Sequence, residues 1–126
     1  MGAPLRLGLA GLGTVGVGIV KIVQNHTDLL ATRAGRPVVI TAVSARTQGQ
    51  DRGVDLSPYA WETDPVALAA RDDIDVFIEV MGGSDGPALA ASRMALSKGK
   101  DIVTANKAML AVTISLPFDS AIRLAA

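Results

Sequence analysis

The chain has 126 residues, 49% of them hydrophobic, which is enough for one compact domain with a buried core. Twelve Lys and Arg balance twelve Asp and Glu, so no net field favours nucleic acid or an anionic membrane as partner. The absence of Cys excludes disulfides, thiolate metal sites and thiol nucleophiles, and suits a reducing cytosol. With His26 the only histidine, no metal site is expected. No apolar run reaches the roughly 18 residues of a membrane span, and Arg6 and the early glycines break up any signal-peptide core. A soluble, cytoplasmic protein is the expectation.

Leu5 to Ala10 is short, apolar and without helical period, as in a strand buried on both faces. From Thr14 a helix follows, with Val15, Ile19, Ile22 and Val23 spaced to form one stripe toward a sheet and Lys21 and Gln24 facing water. Gly18 inside that helix implies close packing, and His26 falls at a helix end or loop. The pattern dissolves around Ala31 to Arg36. Val38 to Val43 reads as a second strand, and a polar loop from Thr47 to Ser57 follows it. Thr63 or Asp64 can cap a short helix that has Pro65 at its first position. Asp75 to Met81 forms a third strand. Ser84 or Asp85 opens a helix over Ala88 to Lys98, with Gly99 as its left-handed C-terminal cap, and Ile102 and Val103 make a fourth strand. Strands alternate with crossover-sized intervals, which favours an α/β, doubly wound parallel sheet of Rossmann type in a single domain over residues 1–111. The tail, residues 112–126, is atypical: VTISLP is strand-like and DSAIRLAA resembles a capped helix start.

The chemistry concentrates where the strands end. Gly11, Leu12, Gly13, Thr14, Val15 and Gly16 form a GxGxxG turn between strand and helix, the arrangement that places backbone amides and a helix N-terminus against a pyrophosphate. NAD-binding units commonly carry an acid at the end of the second strand, but here the residues are Ser44, Ala45, Arg46 and Thr47. Arg46 can bind a 2′-phosphate, with Ser44 and Thr47 as hydroxyl donors, so NADP or NAD is expected as cofactor with NADP slightly favoured. Gly82 and Gly83 either let a nicotinamide ring or its ribose approach the main chain or serve as a flexible turn. Glu79, inside an apolar strand, needs a partner if buried, from the local backbone or a neighbouring loop. Lys107 follows a buried strand at the ligand edge, where an ammonium can donate to a carbonyl oxygen or join a proton relay. Thr104 and Asn106 stand ready to orient the nicotinamide amide or the ribose.

The combination of GLAGLGTVG, IEVMGG and VTANKAMLA resembles the cofactor-binding domain of homoserine dehydrogenases, from about Leu5 to Ala111. That resemblance implies an NAD(P)-dependent oxidoreductase that interconverts L-homoserine and L-aspartate 4-semialdehyde on the route to threonine and methionine. It also implies that Gly11 to Gly16 hold the pyrophosphate, that Arg46 lies near the adenosine ribose and Gly82 and Thr104 near the nicotinamide, and that Lys107 handles the proton. In the family a large substrate domain follows, bringing homoserine-binding acids, a second catalytic lysine and a monovalent-cation site. This sequence stops at Ala126, so the chain alone is expected to be inactive, with the substrate a partner only once that domain is supplied. An apolar edge left bare invites a homo-oligomer. Two other readings stay open: a noncatalytic nucleotide-binding module, and the cofactor half of another small amino-acid or aldehyde dehydrogenase.

Overall fold

A computed structural model of the protein describes residues 2–81 and 86–104, together with the short strand Ile122–Leu124. The elements in chain order are β1 (Leu5–Ala10), α1 (Thr14–Asn25), α2 (Thr27–Ala34), β2 (Val38–Ser44), β3 (Ala60–Glu62), α3 (Pro65–Ala69), β4 (Val76–Glu79), α4 (Pro87–Ser97), β5 (Asp101–Thr104) and β6 (Ile122–Leu124). They build a six-stranded sheet in the order β3-β2-β1-β4-β5-β6, with every pairing parallel. The chain runs outward from β1 to β3, then crosses back to place β4 on the other side of β1. That reversal is the switch point at which an open α/β sheet leaves a crevice beyond its strand ends.

Side chains alternate across the sheet and feed two cores. One side gathers Leu68, Ala69, Phe77, Ala91, Ala95 and Ile102, where α3 and α4 pack together. On the other, Leu7, Leu9, Val20, Ile40, Val43 and Ile78 lie beneath α1. Both sides are apolar, which explains why the strands lack polar alternation. Among the described residues, no helix is long and apolar enough to cross a membrane.

Several sequence expectations are corrected by this arrangement. The buried stripe of α1 runs through Gly16 and Val20 with Ile19 and Val23 beside it, whereas Val15 and Ile22 are 56% and 51% exposed. The offset follows from the glycine at position 16, which allows α1 to rest directly on the turn that precedes it. Gly18 is not the packing glycine: a Cβ there would meet no protein atom within 4 Å. The helical run also breaks at His26, whose φ of −126° and ψ of 35° leave the helical region, so α2 is a separate helix. Strand β3 went unanticipated because three residues carry no readable period, yet it pairs Ala42, Val43 and Ser44 with Ala60, Trp61 and Glu62. The N-cap of α4 is Gly86 rather than Ser84 or Asp85, with Pro87 in its first turn. In the tail, Ile122–Leu124 is a parallel strand beside β5 where a helix start was expected.

Elsewhere the local signals hold. The Asp64 carboxylate caps α3 by accepting from the Val66 backbone N–H at 2.9 Å, with Pro65 in the first turn. Gly99, just beyond α4, has the left-handed φ of +75°.

Candidate functional site

At the carboxyl edge of the sheet the ends of β1, β2 and β4 and the N-termini of α3 and α4 surround a cleft of about 820 Å³, a size suited to a small-molecule ligand. Its floor is the turn after β1. Gly11 has φ +108°, a conformation that side chains rarely allow, and a Cβ there would stand 2.9 Å from the Val80 carbonyl. Its amide donates to the Ser44 carbonyl at 2.9 Å, so the turn is tied to β2. Gly16 is required by contact: a Cβ on it would overlap the Gly11 carbonyl, in backbone that has nowhere to go. Gly13 differs from both. It has an ordinary φ of −78°, and a Cβ on it would meet no protein atom within 4 Å. Nothing described in the fold demands glycine at that position, while an approaching ligand would.

Helix α1 begins at this floor with no side-chain cap and no acidic residue in its first turn. Its first amides are therefore donors for an anion, reinforced by about half a positive charge from the helix dipole. Leu12 and Gly13 line the cleft, Thr14 and Val15 are exposed in the first turn, and Gly16 is buried beneath it.

The wall beyond β2 carries the cations. Ser44, Ala45, Arg46 and Thr47 line the cleft as expected, and Arg46 is exposed and without a hydrogen bond or ion pair to any other described residue. Arg52 also lines it, a residue that sequence reasoning passed over inside the polar loop. Its guanidinium donates to the Thr47 carbonyl at 2.6 Å and lies 5.6 Å from the centre of the Trp61 ring. Thr63 and Pro65 at the head of α3 complete this side. Their signal was the helix cap itself, since the N-terminus of α3 belongs to the same edge. None of the described lining residues is acidic.

On the other side of β1, Val80 and Met81 lead out of β4. Glu79 beneath them is fully buried, and its need for partners is met. One carboxyl oxygen accepts from the Met81 backbone N–H and the other from the Thr104 hydroxyl, each at 2.8 Å. Glu79 thus ties the ends of β4 and β5 together, and Thr104 is buried with its hydroxyl engaged in that link. Gly82, Gly83, Asn106 and Lys107 lie outside the described residues. No cluster of candidate metal ligands occurs among the residues that are described.

Comparison with known proteins falls on this architecture. Residues 11–116 match the family model described as homoserine dehydrogenase, NAD-binding domain. The chain belongs to the homoserine dehydrogenase family. A homoserine dehydrogenase from Mycobacterium tuberculosis is 41% identical over 111 residues, which is 87% of this chain and 24% of that protein. One from Bacillus subtilis is 42% identical over 108 residues, covering 86% of this chain and 25% of the relative. The crystal structure of Staphylococcus aureus homoserine dehydrogenase superposes with a TM-score of 0.82 at 32% identity, over 98% of this chain and 32% of that one. This chain therefore spans about a quarter of the length of the curated homoserine dehydrogenases it matches.

Proposed function

We propose that this chain binds a nicotinamide dinucleotide as the cofactor portion of a homoserine dehydrogenase, an enzyme that interconverts L-homoserine and L-aspartate 4-semialdehyde. The observation that carries the reading is Gly13, a glycine that the described fold does not need, at the uncapped head of α1 and on the cleft floor. The residues present fit the group. The turn from Gly11 to Gly16 receives the pyrophosphate through the free amides at the head of α1, as an anion at a helix N-terminus requires; the Gly11 amide is held by the Ser44 carbonyl. When bound, the cofactor supplies the site that accepts or gives up the hydride. Arg46, unpaired at the end of β2, takes the adenosine side, and its guanidinium favours a 2′-phosphate, so NADP is preferred over NAD.

The nicotinamide end falls to the opposite side of β1. There the buried Glu79–Thr104 link sets the ends of β4 and β5, and Gly82, Gly83, Thr104 and Asn106 are assigned to the nicotinamide ring, its amide and its ribose. Lys107, three residues past β5, is the proton-handling group: its ammonium gives a proton to the carbonyl oxygen as the aldehyde is reduced, and its neutral amine takes the hydroxyl proton when the alcohol is oxidised. Residues that hold the amino acid are expected from the remaining length that the relatives possess.

The reading is tested by titrating the chain with NADPH and NADH while following nicotinamide fluorescence. Saturable micromolar binding of both is expected, and failure to bind either removes the cofactor assignment. In a complete enzyme carrying this domain, Lys107→Ala should depress kcat by at least about a hundredfold with the melting temperature unchanged. Undiminished turnover refutes the role of Lys107.

A further inference from the structure

Between β2 and β3 the connection is a loop, not a helix, and its first half forms the cleft wall. Its second half is anchored to the body: the Gln24 side chain on α1 donates to the Asp55 carbonyl at 2.8 Å and to the Tyr59 hydroxyl at 2.9 Å. The first half, residues 46–50, has a different support. Arg52 reaches back to the Thr47 carbonyl at 2.6 Å and, at 3.4 Å, to that of Gln50, with its guanidinium over the indole of Trp61. Trp61 sits on β3, paired with Val43 and packed against the core, so it is a fixed platform. A second, open pocket of about 340 Å³ is lined by Gln48, Tyr59 and Trp61 and shares Gln50 and Arg52 with the main cleft. The loop therefore has free space beside it into which it can shift.

We infer that Arg52, clipped between Trp61 and the Thr47 carbonyl, is a positioning residue that holds the loop of residues 46–50 upright as the adenosine-side wall of the cleft. The inference rests on the cofactor reading above for its consequence, though not for the clip itself. Arg52 acts through the wall it supports, and the phosphate-binding charge is left to Arg46. A cation stacked on an indole and fixed to a carbonyl has two of its preferred interactions satisfied within the protein. Removing it lets Thr47 and Arg46 shift toward that second pocket, which weakens both dinucleotides, and NADPH the more because Arg46 withdraws from the 2′-phosphate.

Trp61 is the sole tryptophan, so its emission reports on the clip directly. In the nucleotide-free chain, Arg52→Gln should shift Trp61 emission and lower the NMR order parameters of the amides of residues 47–50 to below about 0.6. Unaltered order parameters there overturn the inference whatever the chain binds. With nucleotide, Arg52→Gln should weaken NADH by about fivefold and NADPH by more, and Trp61→Leu, which keeps the Arg52 charge, should do likewise. Trp61→Phe, which keeps an aromatic face, should bind within about twofold of the parent. The double variant Arg52→Gln/Trp61→Leu should be no worse than either single change, since both break one clip. A loss of NADPH affinity in Arg52→Gln that Trp61→Leu does not share would make Arg52 a direct phosphate ligand and overturn the positioning role. If the parent chain binds neither nucleotide, the cofactor reading fails, while the order parameters still decide the clip.

Discussion

Replacing Gly13 with Ala separates what the ligand needs from what the fold needs. At Gly13 the backbone has φ −78° and ψ −159°, open to any residue, and the added methyl would meet no protein atom within 4 Å. On the folded side, alanine is a poorer N-cap than glycine by up to about 1 kcal/mol, while a less flexible unfolded chain returns about 0.4–1 kcal/mol. The net change is within about 0.5 kcal/mol, or about 2 °C in Tm for a domain of this size. A bound pyrophosphate is affected differently. The methyl would enter the open space at the head of α1 that the proposed pyrophosphate occupies, and forcing one methyl into an occupied contact costs about 1–3 kcal/mol, a loss of roughly five- to more than a hundredfold in affinity. Gly16→Ala is the contrasting case, because its Cβ overlaps the Gly11 carbonyl and the turn itself must move. It should lower Tm by several degrees as well as abolish binding. Thermal melts and NADPH titrations of the two variants decide the matter. Gly13→Ala binding as tightly as the parent would refute the placement of the pyrophosphate, however well the cleft is formed.

Arg46→Ala should reduce NADPH affinity by about tenfold, the worth of one charge-assisted hydrogen bond, and leave NADH nearly unchanged. Equal losses would show that Arg46 does not read a 2′-phosphate. Ser92, buried in α4, has a hydroxyl with no hydrogen-bond partner among the described residues. Ser92→Ala should therefore stabilise the chain by about 1 kcal/mol, and a lowered Tm would reveal a partner for that oxygen. The Arg6 side chain and backbone N–H donate to the Asp75 carboxylate, and Arg71 donates to Asp73; these bonds hold both acids below the usual carboxylate range. Because the folded values lie below the unfolded ones, this stabilisation is complete above about pH 5 and is lost on acidification through about pH 4 and below. Urea melts of the parent and of Asp75→Asn should converge as the pH falls through that window, and parallel curves would contradict the linkage.

The Rossmann-type order was legible because three kinds of signal agree at the same places: short apolar runs, glycine or proline at their ends, and helical spacing between them. Asp64, Pro65 and Gly99 did what their chemistry dictates. What stayed hidden depends on partners distant in the chain. Strand β3 exists because Ala60 to Glu62 find the open edge of β2, and Tyr59-Ala60-Trp61 alone gives no period. Val15 and Ile22 satisfied a helical stripe, but the stripe that packs was chosen by Gly16, whose contact with Gly11 brings that face of α1 to the turn. Residue by residue, the glycine turn, Ser44, Arg46 and Thr47 were found from local pattern and lie together on the cleft. Arg52 was not, because its importance lies in a ring nine residues further on and in a carbonyl five residues back.

A neutral chain can still hold a strongly directed field, and here the sheet sorts its charges by edge. Asp72, Asp73, Asp75 and Asp101 collect at or just before the amino ends of β4 and β5. Arg6 and Arg71 occupy two of them there, Asp75 at 3.0 Å and Asp73 at 2.7 Å. At the carboxyl edge the described lining has Arg46 and Arg52 with no acid among them, above the positive end of α1. A balance of twelve against twelve therefore excludes a long-range pull on polyanions without excluding a short-range one on a small anion. The separation also makes the two edges independent in acid: protonating the Asp75 cluster weakens the fold from the edge opposite the cleft. Nucleotide affinity measured on the folded fraction should accordingly persist to a pH at which global stability has already begun to decline.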